Sequence, residues 1–452
     1  MSSHPSAPPD RTSFTDRRVL VATGIGNFME WFDFAVYGFF AVSIGRTFFP
    51  TDNPTTSLLS TLAVYGVAFL MRPAGGLFFG SIGDRLGRRK SLSLAVVMMG
   101  AATALIAVLP SYATAGLVSP ILLVLLRALQ GFSAGGEWTG SSAFIVENAP
   151  SNRRGLAASI VPATAALAVA AGAGTALLIN SLVSADAVDS WGWRLPFLAA
   201  FPMTVVGLYM RLKLEETPVF REMKKSGTVE GSPLKGVARR DLRSLGIAFA
   251  LASITVLGFY YLATYVTTFL TVTVEMPRPD ALAVVAIGAL LYGLLCPLAG
   301  AVSDRIGRRP VSLTGGAGLA VFAVPAFLLM ATGQPVLAVL GIVLFGLFEA
   351  MHNVTTTVML IELFPPGTRA TGSATGYNLG AAVIAGPGPL IAAALAAAFP
   401  GTASPAIYMV LVAVVATPVL WRWLPETRWK GIGLGDNTDA PRSTRLTSEV
   451  SR

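Results

Sequence analysis

The chain has 452 residues, of which 53% are hydrophobic and only 13% are charged. Because a soluble domain carries about 25% charged residues, this composition excludes a large soluble enzyme as well as a disordered or collagen-like chain. The single cysteine, Cys296, cannot form an intramolecular disulfide, and two histidines are too few for a histidine-rich metal centre. The net charge of +9 lies in short clusters between apolar runs, which is typical of loops at an anionic membrane face and not of a nucleic-acid-binding surface.

Twelve apolar runs are long enough to cross the hydrocarbon core, which takes about 20 helical residues. Because the runs are continuous and do not alternate in polarity, they predict helices. Residues 1–17 are polar and rich in Ser and Pro, so we expect no cleavable signal peptide there. In chain order the predicted spans cover 18–45, 57–81, 91–110, 117–142, 156–182, 192–213, 244–273, 281–302, 311–332, 335–360, 371–399 and 404–424.

The distribution of positive charge predicts the orientation. Most of the 33 Lys and Arg residues fall in the two tails and the even-numbered loops, whereas the opposite loops hold only Arg46, Arg194 and Arg278. By the positive-inside rule both termini face the cytoplasm, as an even number of spans also requires. We therefore predict an all-α integral membrane protein of twelve transmembrane helices in two six-helix bundles. It has a cytoplasmic N-terminal tail 1–17, an N-terminal bundle 18–213, a central cytoplasmic loop 214–243, a C-terminal bundle 244–424, and a cytoplasmic tail 425–452 without coiled-coil heptads.

The two halves of the chain repeat each other weakly. An Asp-Arg-apolar-Gly-Arg-Arg motif occurs at 84–89 and again at 304–309, and Glu-Thr occurs at 216–217 and 426–427. Between these motifs, each half carries a glutamate followed at the same spacing by an arginine. Because both halves start on the same side, the repeat is parallel, which is typical of transporters with two six-helix bundles around a site at the midplane.

We interpret the repeated charges as a cytoplasmic gate, a set of ion pairs that locks this side in one state and separates in another. Such pairs can bias an equilibrium only if they differ between the two states. The alternative is that the charges only set the topology and solvate the loops. The candidate gate residues are Asp84, Arg85, Arg88, Glu147, Arg154, Asp304, Arg305, Arg308, Glu362 and Arg369.

Several segments are similar to those of a known family. They are GNFMEWFDFAVYGF at 26–39, FLMRPAGGLFFGSIGDRLGRRK at 69–90, ALQGFSAGGEWTGSS at 128–142, WGWRLPF at 191–197, LEETPVF at 214–220, GFYYLATY at 258–265, SDRIGRRP at 303–310 and PAIYMVLVAVV at 405–415. By these segments the sequence resembles the major facilitator superfamily and, within it, the metabolite:proton symporters, above all bacterial proline/betaine transporters. The resemblance implies a multi-pass protein of the bacterial inner membrane. It does not extend to the C-terminal coiled coil by which some of these transporters sense osmolality.

Few ionisable residues lie inside the predicted spans, and each is costly there unless it is paired or hydrated. They are Glu30 and Asp33 in the first span, Arg72 in the second, Arg127 and Glu137 in the fourth, and Glu349 and His352 in the tenth. On one interpretation, Glu30 or Asp33 pairs permanently with Arg72 or Arg127 and holds the bundle together. On the other, one or two of Glu30, Asp33 and Glu137 carry the coupling proton, which each could exchange when a neighbouring arginine moves away or binds substrate.

A zwitterion such as betaine or proline would place its carboxylate on an arginine and its ammonium over aromatic faces, where each good contact is worth about 0.5–2 kcal/mol. By resemblance, several aromatic residues, Tyr260 among them, lie in cavity-lining spans. Ordinary packing is the alternative for each of them. The candidate substrate-binding residues are Arg72, Arg127, Trp31, Tyr37, Tyr65, Gln130, Trp138, Tyr261, Tyr265 and Asn378, of which Tyr261 and Tyr265 share a helix face.

The resemblance thus implies a proton-coupled symporter of a small zwitterionic osmolyte, driven by the proton motive force, without metal or cofactor and working as a monomer. Its partners would be the substrate, protons and the lipid bilayer, with no nucleic acid. A carrier of mono- or dicarboxylates or related metabolites, such as α-ketoglutarate, citrate or shikimate, stays open because two arginines in one cavity suit a dianion. Sugar and drug carriers lack their signatures here, a channel does not need the repeated gate, and two histidines cannot build the catalytic site of a membrane enzyme.

Overall fold

The computed structural model describes residues 17–399 and 403–433, and within these ranges the backbone is almost entirely helical. Twelve helical segments are long and apolar enough to cross a membrane, which confirms the predicted all-α, twelve-span fold. Numbered as spans 1 to 12, they are Arg17–Phe39, Ala63–Leu86, Arg88–Val108, Val118–Asn148, Arg154–Leu182, Gly192–Lys213, Leu242–Thr273, Arg278–Ile306, Arg308–Ala331, Pro335–Glu362, Arg369–Ala398 and Pro405–Trp423. Most of both predicted tails lies outside the described residues.

Shorter elements connect or interrupt the spans. The connecting helices are Ala41–Phe48, Tyr112–Ala115, Ala185–Ser190, Pro218–Ser226 and Pro233–Arg240, and the helix that contains span 2 begins at Pro54. Span 7 includes π-helical turns at Tyr261–Tyr265 and Phe269–Thr273, and span 11 includes one at Ala381–Ala385. Turns of this kind are frequent at functional sites.

Several boundaries differ from the predicted ones. The first predicted span, 18–45, is interrupted because span 1 ends at Phe39 and a separate helix follows. Spans 2 and 4 run on past 81 and 142 to Leu86 and Asn148, since the charged residues in their last turns find partners there. The central loop, 214–243, holds two short helices that each begin with a proline, which costs nothing in a first helical turn.

The spans form two bundles of six. Span 2 packs on span 4 and span 1 on span 5 in the first bundle, and spans 9 and 10 pack together in the second. The bundles meet where span 5 lies along span 8 and where span 2 lies along span 11. Small residues allow this approach, since a Cβ atom at Gly300 would collide with the backbone of Gly155, and one at Gly80 with that of Thr371.

Candidate functional site

Each acid proposed for proton coupling is buried and paired with an arginine of another span. Glu30 in span 1 accepts a hydrogen bond from Nη2 of Arg72 in span 2. Asp33, one helical turn later, lies 2.8 Å from Nη1 of Arg127 in span 4. Of the pairings that the spacing left open, the structure therefore contains Glu30 with Arg72 and Asp33 with Arg127.

Glu137 of span 4 has a partner that sequence reasoning missed. Arg211 holds both carboxylate oxygens of Glu137, with Nη1 at 2.9 Å from Oε2, and it also donates to the carbonyl oxygen of Leu92 at 2.9 Å. A Cβ atom at Gly26 would collide with this guanidinium group, so the glycine makes room for the pair. Arg211 lies in the last turn of span 6 beside Lys213, so the sequence assigns its charge to the following loop and not to the interior of the bundle.

Asp33 belongs to a polar cluster inside the N-terminal bundle. Its Oδ1 accepts hydrogen bonds from Gln130 at 2.9 Å and from Thr103 at 3.1 Å. Arg127 also donates to Gln130 at 2.6 Å, and its guanidinium carbon lies 3.7 Å from the ring centre of Tyr37. These contacts tie spans 1, 3 and 4 together, which is the arrangement that the structural interpretation of Asp33 requires.

Glu30 and Arg72 keep unused hydrogen-bonding groups. Oε2 of Glu30 and both Nε and Nη1 of Arg72 make no hydrogen bond to the described residues. The guanidinium carbon of Arg72 lies 5.7, 5.1 and 5.4 Å from the ring centres of Trp31, Phe34 and Phe69. An arginine with free N–H groups thus lies among aromatic faces.

An aromatic cluster joins the two bundles beside Arg72. Its members are Trp31, Phe69 and Trp138 from the first bundle and Phe259, Tyr260 and Tyr377 from the second. The ring centres of Trp31 and Phe259 are 4.6 Å apart, those of Phe69 and Tyr260 are 4.7 Å apart, and Trp138 stacks on Tyr377 at 5.8 Å. The indole N–H groups of both tryptophans and the Tyr260 hydroxyl lack partners among the described residues, which makes them available to a bound polar molecule.

The other candidate binding residues lie elsewhere. Tyr261 and Tyr265 do share a face, with ring centres 5.3 Å apart, but that face packs on Phe327 inside the C-terminal bundle. Tyr260, one residue earlier, occupies the side of span 7 that faces the first bundle, and a role for Tyr261 and Tyr265 in substrate binding stays a prediction.

Tyr37, Tyr65 and Asn378 also have structural partners. The rings of Tyr37 and Tyr65 stack 5.7 Å apart beside Arg127 within the N-terminal bundle. The side-chain amide of Asn378 donates to the carbonyl oxygen of Gly135 at 2.7 Å and so links span 11 to span 4. Among the candidates, Arg72, Trp31 and Trp138 meet at the bundle interface.

The residues predicted to form the cytoplasmic gate lie together where the two bundles meet, and they hold the bundles in contact there. The Asp84 carboxylate accepts backbone hydrogen bonds from Ala370 at 3.0 Å and Thr371 at 2.8 Å, at the first turn of span 11. Asp304 accepts in the same way from Gly155 and Leu156, both at 2.8 Å, at the first turn of span 5. Each aspartate therefore caps a helix of the opposite bundle, where the helix dipole also favours a negative charge.

Ion pairs cross between the bundles at the same level. Glu147 lies 2.9 Å from Arg369, and Arg154 lies 3.3 Å from Glu362, so each repeated glutamate pairs with the arginine of the other half. Arg88 lies 3.2 Å from Glu147 and Arg308 lies 3.6 Å from Glu362 within the two bundles. Arg85 and Arg305, also predicted to belong to the gate, are exposed and take no part in these pairs, because they fall on the outer side of their helix ends.

The repeated Glu-Thr motif completes the gate. Glu216 accepts backbone hydrogen bonds from Arg88 and Arg89 at the start of span 3, and Thr217 donates to Glu147 at 2.6 Å. Glu426 and Thr427 repeat these contacts on span 9 and Glu362. Burial raises the pKa of the Glu216 carboxyl, and the backbone donors oppose that shift. The repetition of this motif in the sequence was the signal that these residues belong to the gate.

The segment after span 12 lies across the gate. The carbonyl oxygen of Lys430 accepts a hydrogen bond from Arg154 at 2.8 Å, and that of Ile432 accepts one from Arg369 at 3.0 Å. At the opposite face, Arg278 donates to the carbonyl oxygen of Phe39 and joins the bundles there too. The aromatic cluster is thus covered from both sides.

Comparison with known proteins connects this architecture to a family. The model of the Major Facilitator Superfamily matches residues 23–375 and, in a second match, residues 276–447. A proline/betaine transporter of Salmonella typhimurium is 37% identical over 415 residues, covering 88% of this chain and 81% of the relative. A glycine betaine/proline/ectoine/pipecolic acid transporter of Dickeya dadantii is 36% identical, covering 91% and 84%. An inner membrane metabolite transport protein of Escherichia coli is 36% identical, covering 83% and 87%.

Solved structures share the fold at low sequence identity. The proton:xylose symporter XylE bound to 6-bromo-6-deoxy-D-glucose superposes with a TM-score of 0.76 at 18% identity, covering 91% of this chain and 96% of the other. A partially occluded inward-open form of the xylose transporter from E. coli gives a TM-score of 0.70 at 19% identity, covering 92% and 99%. These likenesses establish the arrangement of the two bundles.

Proposed function

This chain belongs to the major facilitator superfamily, and we propose that it is a proton-coupled symporter that imports a small zwitterionic osmolyte such as proline or glycine betaine. Family membership makes it a multi-pass inner-membrane transporter and not an enzyme. The observation that carries the proposal is Arg72, a buried arginine with free N–H groups beside the aromatic cluster between the bundles. The names of relatives at 36–37% identity support the substrate class.

The site offers complementary groups for both ends of a zwitterion. The guanidinium group of Arg72 suits a carboxylate, and the faces of Trp31, Trp138 and Tyr260 suit a quaternary or secondary ammonium. The unpartnered N–H groups of the two tryptophans add donors for the carboxylate. A molecule held in this way touches both bundles at once, as a substrate that governs their relative movement must.

Geometry couples this binding to Glu30. A carboxylate that binds a guanidinium group through two parallel hydrogen bonds uses Nη2 together with either Nε or Nη1. Nη2 of Arg72 donates to Glu30 in the closed structure, so a substrate carboxylate that binds at the other edge shares the single positive charge of Arg72 with Glu30. Two buried carboxylates on one guanidinium group are costly until one of them takes up a proton. Substrate and proton therefore load together, which is the requirement for symport.

The carboxylate alternative calls on two arginines. The guanidinium carbons of Arg72 and Arg127 lie 5.1 and 5.3 Å from the ring centre of Phe34, so both arginines contact the same ring. Arg127 is bonded to Asp33 and Gln130, however, so a dianion bound to both arginines would compete with two carboxylates. A zwitterion competes with one and brings its own cation, which favours the osmolyte.

We infer alternating access from the gate. With the termini in the cytoplasm, the Glu147–Arg369 and Arg154–Glu362 pairs hold the inner side shut while substrate and proton bind. Release inward requires these pairs and the two aspartate caps to separate as the bundles rock about the central site.

Uptake into proteoliposomes with an imposed inward proton gradient tests the proposal. Radiolabelled glycine betaine and proline are compared with α-ketoglutarate, citrate and shikimate under the same gradient. Uphill uptake of a zwitterion that a protonophore abolishes is the expected result. Uptake of a carboxylate alone would refute the osmolyte assignment and support the dianion site. Uptake that stays downhill with the gradient imposed would refute proton coupling.

A further inference from the structure

Glu349, at the middle of span 10, is a buried acid without an arginine partner. The other buried acids of the described residues, namely Glu30, Asp33, Asp84, Glu137, Glu147 and Glu362, each pair with an arginine. Oε1 of Glu349 accepts a hydrogen bond from Asn353 at 3.2 Å, and Oε2 has no partner among the described residues. Glu349 therefore differs from the other buried acids in having no positive charge to balance an ionised carboxylate.

No arginine or lysine of the described residues pairs with Glu349. On span 7 the carboxyl group lies against the backbone of Gly258, where a Cβ atom would collide with it. The titratable groups that face it from the neighbouring spans are the Tyr292 hydroxyl and the Cys296 thiol of span 8 and the Tyr377 hydroxyl of span 11. All three are ordinarily neutral at physiological pH.

His352, the remaining titratable group on span 10 near Glu349, is held on another side of the helix. Its Nδ1 lies 2.9 Å from the carbonyl oxygen of Ser312 and its Nε2 lies 3.2 Å from that of Leu251. A carbonyl oxygen lies at each ring nitrogen, so the single N–H of the neutral ring donates to span 9 or span 7 and not to the carboxyl group. An ionised Glu349 would therefore stand in the protein interior without a counter-charge, which is far less favourable than the neutral acid.

A row of hydrogen bonds leads from Glu349 to the bundle interface. The Asn353 amide that donates to Glu349 also contacts the Tyr292 hydroxyl at 3.0 Å. Tyr292 lines a narrow cleft between the bundles, opposite Ala166 and Val169 of span 5. The ring of Phe259, a member of the aromatic cluster, lies 5.8 Å from that of Tyr292 in the same cleft.

We propose that Glu349 is a proton-binding site of the transport cycle, occupied in this closed state and in exchange with water of the cleft beside Tyr292. When spans 5 and 8 part, water that enters the cleft and hydrogen-bonds to the Tyr292 hydroxyl reaches the Glu349 carboxyl group and takes up its proton. The Asn353 amide, which donates to both side chains, orients them and carries no proton. The site rests on the proposed proton coupling and adds to Glu30 a second acid, in the opposite bundle. With Glu30 in the first bundle and Glu349 in the second, protonation depends on the conformation of both bundles.

Infrared difference spectroscopy of the purified transporter, titrated with acid and base without any substrate, tests the site directly. A protonated buried carboxyl group gives a C=O stretching band that shifts in D₂O. We expect such a band in the wild type, its loss in Glu349→Gln, its displacement in Glu349→Asp, and its retention in Glu30→Gln. A spectrum in which the band is absent, or is unaffected by Glu349→Gln, would overturn the proposal.

The rate of H/D exchange at the carboxyl group tests whether the proton exchanges on the side of Tyr292. Two variants are compared, so the test does not depend on the folding of Glu349→Gln. Tyr292→Phe removes the hydroxyl in the row, and Tyr408→Phe, which removes a hydroxyl bonded to Ile384 in the same bundle, is the matched control. We expect slower H/D exchange of the carboxyl band in Tyr292→Phe and the wild-type rate in Tyr408→Phe. Equal rates in the two variants would refute the path. In proteoliposomes, Glu349→Gln should lose gradient-driven uptake but keep counterflow, and full uphill uptake would contradict the site.

These outcomes separate the inference from the proposed function. Failure of the wild type to take up either zwitterion concerns the substrate alone, because the infrared titration needs none. If the infrared band is absent in a transporter that still accumulates betaine against its gradient, the Glu349 site is refuted and the symporter proposal stands.

Discussion

Replacement of Asp84 by asparagine is expected to weaken the closed gate by a definite amount. The Asp84 carboxylate accepts two backbone hydrogen bonds, at 2.8 and 3.0 Å, from the first turn of span 11, and it lies 3.3 Å from Arg88. Asparagine keeps one acceptor oxygen, and its NH₂ group faces the second backbone N–H. The variant therefore loses one charge-assisted hydrogen bond and the favourable contact of a negative charge with the start of a helix.

The magnitude follows from these contacts. A hydrogen bond to a charged group contributes about 1.5–3 kcal/mol, so about 2 kcal/mol is a reasonable loss for the closed state. Because these bonds cross between the bundles, the open state does not contain them and is not weakened. At about 1.4 kcal/mol per tenfold change, the ratio of inward-open to closed molecules should rise about 30-fold. The affinity for substrate should change less than the turnover rate, since Asp84 does not contact the central site.

Distances between spin labels on the two bundles measure this shift. Arg85 and Arg305 are exposed at the gate ends of spans 2 and 8 and take no part in its ion pairs, so cysteines there can carry the labels. The buried Cys296 is first replaced by alanine. The matched control is Asp186→Asn, which makes the same chemical change at an exposed helix between spans 5 and 6. A distance distribution in Asp84→Asn that matches the wild type and the control would refute the reasoning, as would a large loss of substrate affinity without a change in turnover.

Three further outcomes are expected. Glu30→Gln should abolish accumulation driven by a pH gradient but leave counterflow, because the neutral side chain still fits beside Arg72; undiminished uphill uptake in proteoliposomes would contradict the coupling role. Trp31→Leu should raise the KM for glycine betaine by about 2- to 30-fold, corresponding to a lost cation–π contact of about 0.5–2 kcal/mol, and an unchanged KM would argue against the aromatic site. Thr427→Val should lower the thermal stability of the transporter without opening the gate, because Glu362 loses a buried hydrogen bond, worth about 1 kcal/mol, that lies within the C-terminal half; an unchanged melting temperature of the purified protein would speak against it.

Much of the architecture was predictable from local properties of the sequence. The number of spans follows from the length and hydropathy of each apolar run, and the structure confirms it. The orientation, which rests on the charge of each loop, stays a prediction. The gate motifs were recognisable because they occur twice at equivalent positions. Even the Glu-Thr repeat, whose purpose was not evident, marked residues that cap spans 3 and 9.

The pairing of side chains across helices was decided by the tertiary structure. Helical spacing placed Glu30 and Asp33 on one face but left open which arginine each would meet, and it carried no signal for Arg211 as the partner of Glu137. The positions of Tyr260 and Tyr261 were decided in the same way. Both tyrosines satisfy the same composition, and only the rotation of span 7 against its neighbours brings one ring to the interface and buries the other within the bundle.

The absence of a partner is the property furthest from the sequence. Glu349 looks like the other acids of the spans when it is read along the chain, and only the packing of spans 7, 8 and 11 around it leaves it without an arginine among the described residues. Hydropathy and residue spacing depend only on residues that are close in sequence. The cost of a buried charge depends on groups that are distant in sequence and close in space, so the fold class was determined by the chain itself and the chemistry of the site by how its helices pack.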